Sequence, residues 1–510
     1  MRYIRPSIRQ GMAPTSLSTS GFLKASVMLW SIAALLLAWF LLSTSPVSRD
    51  HRLYLIPWCF ALAAILLAPS TYLFLRGKFD IFHPIVYPVF TYFLPGFVLG
   101  GLVLSFGYSD AFYIPFIQDE HYSLQLTLFY VILAFGTLTI GFASPVGVRV
   151  GRLVLRKIPS WEINDREARK GGLTLLTLGF IGILVSLEFG TFGYQRPEEQ
   201  FILSGILGMS PLLWWQACFL LSLNIFRPGN LFGNGYLVFA LLVVTAISSA
   251  ILGGSRGALF LFSLPIIAGY FYSGRKIYSS TYAWVCGLAT IALLVGVIYG
   301  TTFRTVRGGL ESVDTKDYVA SVPATIEKIL ETKPQTIWDE GVYAFGQRLD
   351  LVSSLAVVVS NYEALAPYEE EFGLDNNIIA DLSTFFIPRF LWKEKPVPFE
   401  LSMYGALYFS YSENAFSITP VGDLLRNFGP LGIPIGMFLL GCLLRTLYVS
   451  LVDGLDFSYI RLTVYFMLLT SISYDSTYGG IVPHMLKTGI VTLFGFLVIR
   501  LATYRPTPTI

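Results

Sequence analysis

TTFRTVRGG (Thr301–Gly309), IPRFLWKEKP (Ile387–Pro396) and FSITPVGDLLRNFG (Phe416–Gly429) mark the start, the interior and the end of one long polar stretch, Thr301–Asn427. Everything around it is made of apolar runs near the length that crosses a bilayer. That contrast decides the fold. Residues 1–300 and 428–510 read as a frame of membrane helices, and residues 301–427 as a large loop held against one face of it. Chemistry is expected where loop and frame meet.

Composition supports the frame. Over 510 residues the chain is 54% hydrophobic and only 13% charged, with a mean hydropathy of +0.63. That is too apolar and too poor in charge for a soluble domain of this size, so the class is an all-α polytopic membrane protein. A crossing needs about 20 apolar residues. Twelve such runs are found, the first at Phe22–Leu42, the last at Met485–Tyr504, with a short one at Ala258–Tyr272.

Basic residues orient the runs. Arg2, Arg5, Arg9 and Lys24 precede or open the first, which reads as a retained signal anchor. Arg149, Arg152, Arg156, Lys157, Arg166, Arg169 and Lys170 crowd the link between the fourth and fifth. Cytoplasmic loops carry this excess, so both termini are expected in the cytoplasm and the large loop outside. The loop holds ten Lys/Arg against eighteen Asp/Glu, a net charge of −8 that leaves +11 for the remainder. Such a loop is no general binder of nucleic acid or anionic lipid, and any arginine in it acts locally. Within it, LVSSLAVVVS (Leu351–Ser360) is half a span and reads as a packed or interfacial helix. DNNIIADLSTFFIPRFLW (Asp375–Trp392) reads as an amphipathic helix stopped at Pro388.

Cys59, Cys218, Cys286 and Cys442 all fall in apolar runs, and His51, His83, His121 and His484 are isolated. No spacing suits a metal, and none is expected.

Basic residues at the outer ends of spans are informative because the default there is none. Arg256 lies in GGSRGALF, Arg304 and Arg307 follow the ninth run, and His484 and Lys487 open the twelfth. A departing diphosphate gives a reason to collect them, since guanidinium groups grip phosphate oxygens more tightly as charge develops. Gly253 and Gly254 would let backbone approach a ligand, with a helix starting near Ser255 adding its positive end. The bland alternative for any one arginine is snorkelling to lipid phosphate. Glycosyl transfer also needs a base. Glu413 leads, then Asp475, with Asp423 and Glu188 behind, and each could instead cap a helix or pair with a cation. Gly432 and Gly436 form a GxxxG pattern that reads first as close packing, and Pro434 as a kink.

With GSRG, IPRFLWKEKP and ITPVGDLLRNFGPLG in view, the chain resembles the Wzy-type O-antigen or oligosaccharide repeat-unit polymerases. The resemblance implies a GT-C-like glycosyltransferase at the periplasmic face of a bacterial inner membrane. Its donor and acceptor would both be undecaprenyl-diphosphate-linked oligosaccharides, with no metal or other cofactor, and with a chain-length regulator as a further candidate partner. The family's arginine-bearing motifs fall on Arg256 and Arg389, with Lys393 and Lys395 following the latter. Two other expectations stay open. An O-antigen ligase would carry a histidine in its large loop, and this loop has none. A flippase of lipid-linked glycan would place charges near the membrane midplane, whereas here they crowd the outer ends.

Overall fold

A computed structural model describes residues 52–108, 112–158, 161–195, 207–230, 235–275, 279–309, 314–385, 387, 392, 401–411 and 416–503. The first predicted span, Glu413, and Arg389 with Lys393 and Lys395 lie outside these residues. Among the described residues the chain is helical, with no strand.

The frame begins with α1 (Ile56–Leu75), α2 (Val86–Ser105), α3 (Glu120–Ala143), α4 (Pro145–Lys157), α5 (Asp165–Glu188), α6 (Ser210–Phe226), α7 (Gly235–Gly253), α8 (Ala258–Tyr272) and α9 (Ser279–Arg307). The large loop supplies α10 (Thr315–Glu331), α11 (Pro334–Leu349), α12 (Leu351–Leu365), α13 (Asn377–Thr384) and α14 (Leu401–Phe409). The chain closes with α15 (Thr419–Leu451), α16 (Tyr459–Thr470) and α17 (Tyr478–Thr503). Among the described residues eight helices are long and apolar enough to cross a membrane, and α6, α8 and α16 are shorter apolar helices.

Polar contacts sort the turns into two ends. At one end Arg52 pairs with Glu120, Gln118 Nε2 donates to Asn361 at 2.9 Å, and Thr315 donates to Glu188. At the other, Tyr272 donates to Asp80 at 2.9 Å, Arg227 pairs with Asp165, and Arg445 pairs with Asp453 at 3.2 Å. Successive apolar helices alternate between these ends, as the sequence predicts for the turns that are described. The first will be called the loop end and the second the basic end.

Helix limits depart from the apolar runs where polar chemistry extends them. The fifth run reads as starting at Leu173, but α5 starts at Asp165 because Asn164 and Glu167 form a reciprocal capping box, at 2.9 and 3.0 Å. α9 continues past Gly300 to Arg307 and stops at Gly308, whose φ is +82°. Arg304 and Arg307 therefore sit on its last turns, where cations complement the helix dipole.

The large loop is rooted in the frame. In α12 every residue from Val352 to Val359 is buried, and the helix packs among α2, α3 and α15. Five Val and Leu side chains there contribute on the order of 10 kcal/mol relative to exposure. Its two buried serines are satisfied, Ser353 by the N-cap Asp350 and Ser354 by the Ser417 carbonyl at 2.8 Å. Of the two expectations for this segment, packed helix is the one observed. The corner before it is pressed onto α2: a Cβ at Gly100 would lie 1.9 Å from the Leu349 carbonyl oxygen, and one at Gly96 2.5 Å from Leu351 Cδ1.

α15 is a hairpin. Gly429 breaks it with φ +67° and ψ −168°. A Cβ at Gly436 would lie 2.4 Å from Leu424 Cδ2, although twelve residues of straight helix span about 18 Å. Residues 419–428 thus fold back on residues 430–451, and the Gly432/Gly436 pattern makes room for Leu424.

Candidate functional site

The site starts from a second glycine pair. A Cβ at Gly300 would lie 2.6 Å from the Arg256 nitrogen, and one at Gly296 2.8 Å from the Arg256 carbonyl oxygen. Gly296, Gly300 and Arg304 are spaced by four and share one face of α9, so the α7–α8 turn lies against α9 one turn below Arg304. Arg256 and Arg304 are electrostatic neighbours, and both face Arg348 at the end of α11. Arg348 is held there by the Leu349–Leu351 corner on α2.

Tyr318 of α10 stitches the mouth together. Its hydroxyl donates to the Leu252 carbonyl at 2.8 Å and accepts from Tyr194 N–H at 2.9 Å. The Tyr194 ring lies 4.5 Å from the Arg304 guanidinium, a cation–π contact, and Arg307 lies 5.9 Å from the Tyr318 ring. Gly254 adopts φ +56°, and a Cβ there would lie 2.5 Å from the Phe303 ring. Its lack of a side chain therefore serves packing, and α8 starts at Ala258 rather than near Ser255.

Arg256 and Arg304 both feel the charge of Arg348, which is exposed. Burial first, and then the Arg348 charge, lower the Arg256 pKa from its ordinary value. The Nε atoms of Arg256 and Arg304 are buried without a hydrogen-bond partner among the described residues. No described carboxylate forms an ion pair with Arg256, Arg304 or Arg348. Three cations gathered in this way are complementary to a polyvalent anion.

Asp475, between α16 and α17, also lies within electrostatic reach of Arg348. It is open to solvent, yet protein surrounds it on its other sides. That loss of hydration holds its carboxyl pKa above the usual carboxylate range, opposed by a hydrogen bond from Ser417 and by the Arg348 charge. Two residues from Ser417, Thr419 takes φ +64° directly before Pro420, a strained conformation for a β-branched residue. Beside Ser417, Phe416 meets Phe409 at 4.4 Å and stacks on the exposed Phe112 at 5.5 Å, forming an aromatic wall.

Other sequence candidates fall elsewhere. Asp423 is fully buried in a network with Arg426 (3.1 Å), Asn377 (3.3 Å) and Gly479 N–H (3.2 Å), where no acceptor hydroxyl can reach it. Glu188 accepts from Thr315. His484 and Lys487 are exposed on α17 close to each other, and α17 packs mainly on α5, α13, α16 and α6. The structure thus gathers Arg256 with Arg304 and sets this pair on a different helix. Among the described residues no three of His, Cys, Asp and Glu gather closely enough to hold a metal.

Compared with protein-family models, with curated proteins and with solved structures, the chain matches none of them.

Proposed function

We propose that this protein is a membrane glycosyltransferase that joins undecaprenyl-diphosphate-linked oligosaccharide repeat units into a surface polysaccharide such as O-antigen. The reading carries with it twelve spans, a GT-C-like frame, cytoplasmic termini and a loop end facing the periplasm of a bacterial inner membrane. One observation carries it: Arg256, Arg304 and Arg348 come together at the loop end, and no described carboxylate forms an ion pair with any of them. The crowding of Arg149, Arg152 and Arg156 at the opposite end supports the orientation.

The chemistry follows from the charges. An acceptor hydroxyl attacks the anomeric carbon of the donor, the bond to the diphosphate oxygen breaks, and the diphosphate departs with the electron pair. The arginines stabilise the charge that grows on its oxygens. Asp475, or Glu413 beyond the described residues, takes the hydroxyl proton. The aromatic wall by Ser417 offers flat apolar faces suited to sugar rings. Arg307 and Arg389 act as supporting cations in this scheme.

The test is direct. Purified protein incubated with lipid-linked repeat units is expected to yield a ladder of products. A single transfer to a different acceptor would mean a ligase, and glycan moved across vesicles without a covalent product would mean a flippase. Arg256→Ala and Arg304→Ala are each expected to lower the rate by about 10²–10³-fold, and an unchanged ladder from both would remove the assignment.

A further inference from the structure

α4 stands at the basic end with most of its surface uncovered. Only Gly147 and Gly151 are buried. They are pressed onto the last turns of α15, where added Cβ atoms would lie 2.8 Å from the Cys442 carbonyl and 2.9 Å from the Thr446 carbonyl. At 3.6 residues per turn Val148 and Leu155 border the glycine side, Lys157 ends the helix on the apolar side, and the other exposed residues fall in two arcs. Val146, Val150, Leu153 and Val154 form one, and they are 50%, 43%, 58% and 40% exposed. Arg149, Arg152 and Arg156 form the other, all exposed and none in an ion pair with a described residue.

Among the described residues no second protein surface covers the apolar arc, because the glycine side fixes how the helix rolls. α4 follows α3 directly through Ser144, so its apolar arc begins where the membrane-facing surface of the bundle ends. A row of valines and leucine beside a row of arginines that no described residue pairs with matches one environment that offers both complements at once: acyl chains next to anionic headgroups. We propose that α4 is a binding surface for anionic phospholipid of the leaflet at the basic end, with its arginines on the lipid phosphates and its apolar arc at the acyl boundary. This does not depend on the glycosyltransferase reading.

The experiment uses the full-length protein in detergent, with phosphatidylglycerol and phosphatidylcholine as probes, read by native mass spectrometry and by thermal unfolding. Wild type is expected to retain phosphatidylglycerol in preference to phosphatidylcholine and to show a Tm that rises with phosphatidylglycerol. The triple variant R149Q/R152Q/R156Q is expected to weaken that retention roughly a hundredfold. The charge-conserving triple variant R149K/R152K/R156K is expected to keep it, which holds the test open should the glutamine variant fold poorly. Inorganic phosphate is expected neither to compete nor to raise Tm, which separates a headgroup in a leaflet from a free anion. Equal retention of both lipids by wild type, loss of retention in the lysine variant, or displacement by inorganic phosphate would each overturn the proposal. Preference for phosphatidylglycerol that persists in the glutamine variant would do so too, and would leave α4 to an acidic protein partner.

Discussion

The Ser417 hydroxyl is shared between the two ends of Asp475, donating to its backbone carbonyl at 3.0 Å and to its carboxylate Oδ1 at 2.5 Å. This bond and the Arg348 charge favour the ionised carboxylate, against a burial that favours the neutral acid. Removing Ser417 leaves burial less opposed and moves the Asp475 pKa further up. A base must be ionised to act, so Ser417→Ala is expected to shift the acid limb of the pH–rate profile to higher pH and leave the plateau above it nearly unchanged. Steady-state polymerisation rates across pH for the two proteins check this. An acid limb that does not move would pass the role of base to Glu413.

Arg348 carries a prediction of opposite sign for activity and stability. It repels Arg256 and Arg304, and no described carboxylate forms an ion pair with any of the three. Sites of this kind hold strain that function requires. Arg348→Ala is therefore expected to lower the transfer rate by about 10²-fold while leaving Tm the same or higher. Rates and thermal unfolding of one preparation test both halves. A fall in Tm with normal rates would make Arg348 a structural residue.

What the sequence disclosed and what it hid follow one rule. Apolar runs report burial in lipid, so the frame was legible from Leu53 onward. Arg256 and Arg304 stood out because a cation at an outer helix end breaks a default. Arg348 breaks none, since it lies on an ordinary polar helix of the loop, and only the fold shows the end of that helix pressed on α2 through Leu349 and Leu351, within electrostatic reach of Arg256 and Arg304. The spacing of Gly296, Gly300 and Arg304 was an available signal that α9 receives something closely on that face. Gly254 shows the limit of such signals, because a missing side chain does not say whether ligand or Phe303 takes its space. Asp423 had a readable partner in Arg426, three residues on, but its burial depends on Glu369 and Asn377, more than forty residues away in the chain.

That buried network yields a stability prediction. Arg426 donates to Glu369 at 2.9 Å, to the Leu374 carbonyl at 2.7 Å and to Asp423 at 3.1 Å, tying the loop before α13 to α15. Arg426→Ala strands two buried carboxylates and is expected to cost about 3–5 kcal/mol. Burial outweighs Arg426 at Glu369 and lifts its pKa from 4.5 to about 7. The folded state then holds this proton more tightly than the unfolded chain. Its contribution is full below the ordinary value near 4.5 and is lost as pH rises to about 7. Glu369→Gln is expected to flatten the Tm–pH curve in that window alone. Identical slopes for wild type and variant would show that Glu369 does not titrate there.

Gly429 isolates backbone strain from packing. Its φ of +67° with ψ −168° belongs to a region that is nearly glycine's alone, and a Cβ placed there would meet no atom within 4 Å. Gly429→Ala therefore creates no clash, and any loss reports the cost of the hairpin turn itself, about 1–3 kcal/mol. Relief of that strain straightens the turn, separates Leu424 from Gly432 and Gly436, and draws residues 419–428 away from Ser417 and Asp475. The variant is expected to lose polymerisation along with stability, and to expose the amides of residues 419–428 to hydrogen exchange ahead of those of residues 430–451. Uniform exchange across both segments would mean that α15 behaves as a single helix.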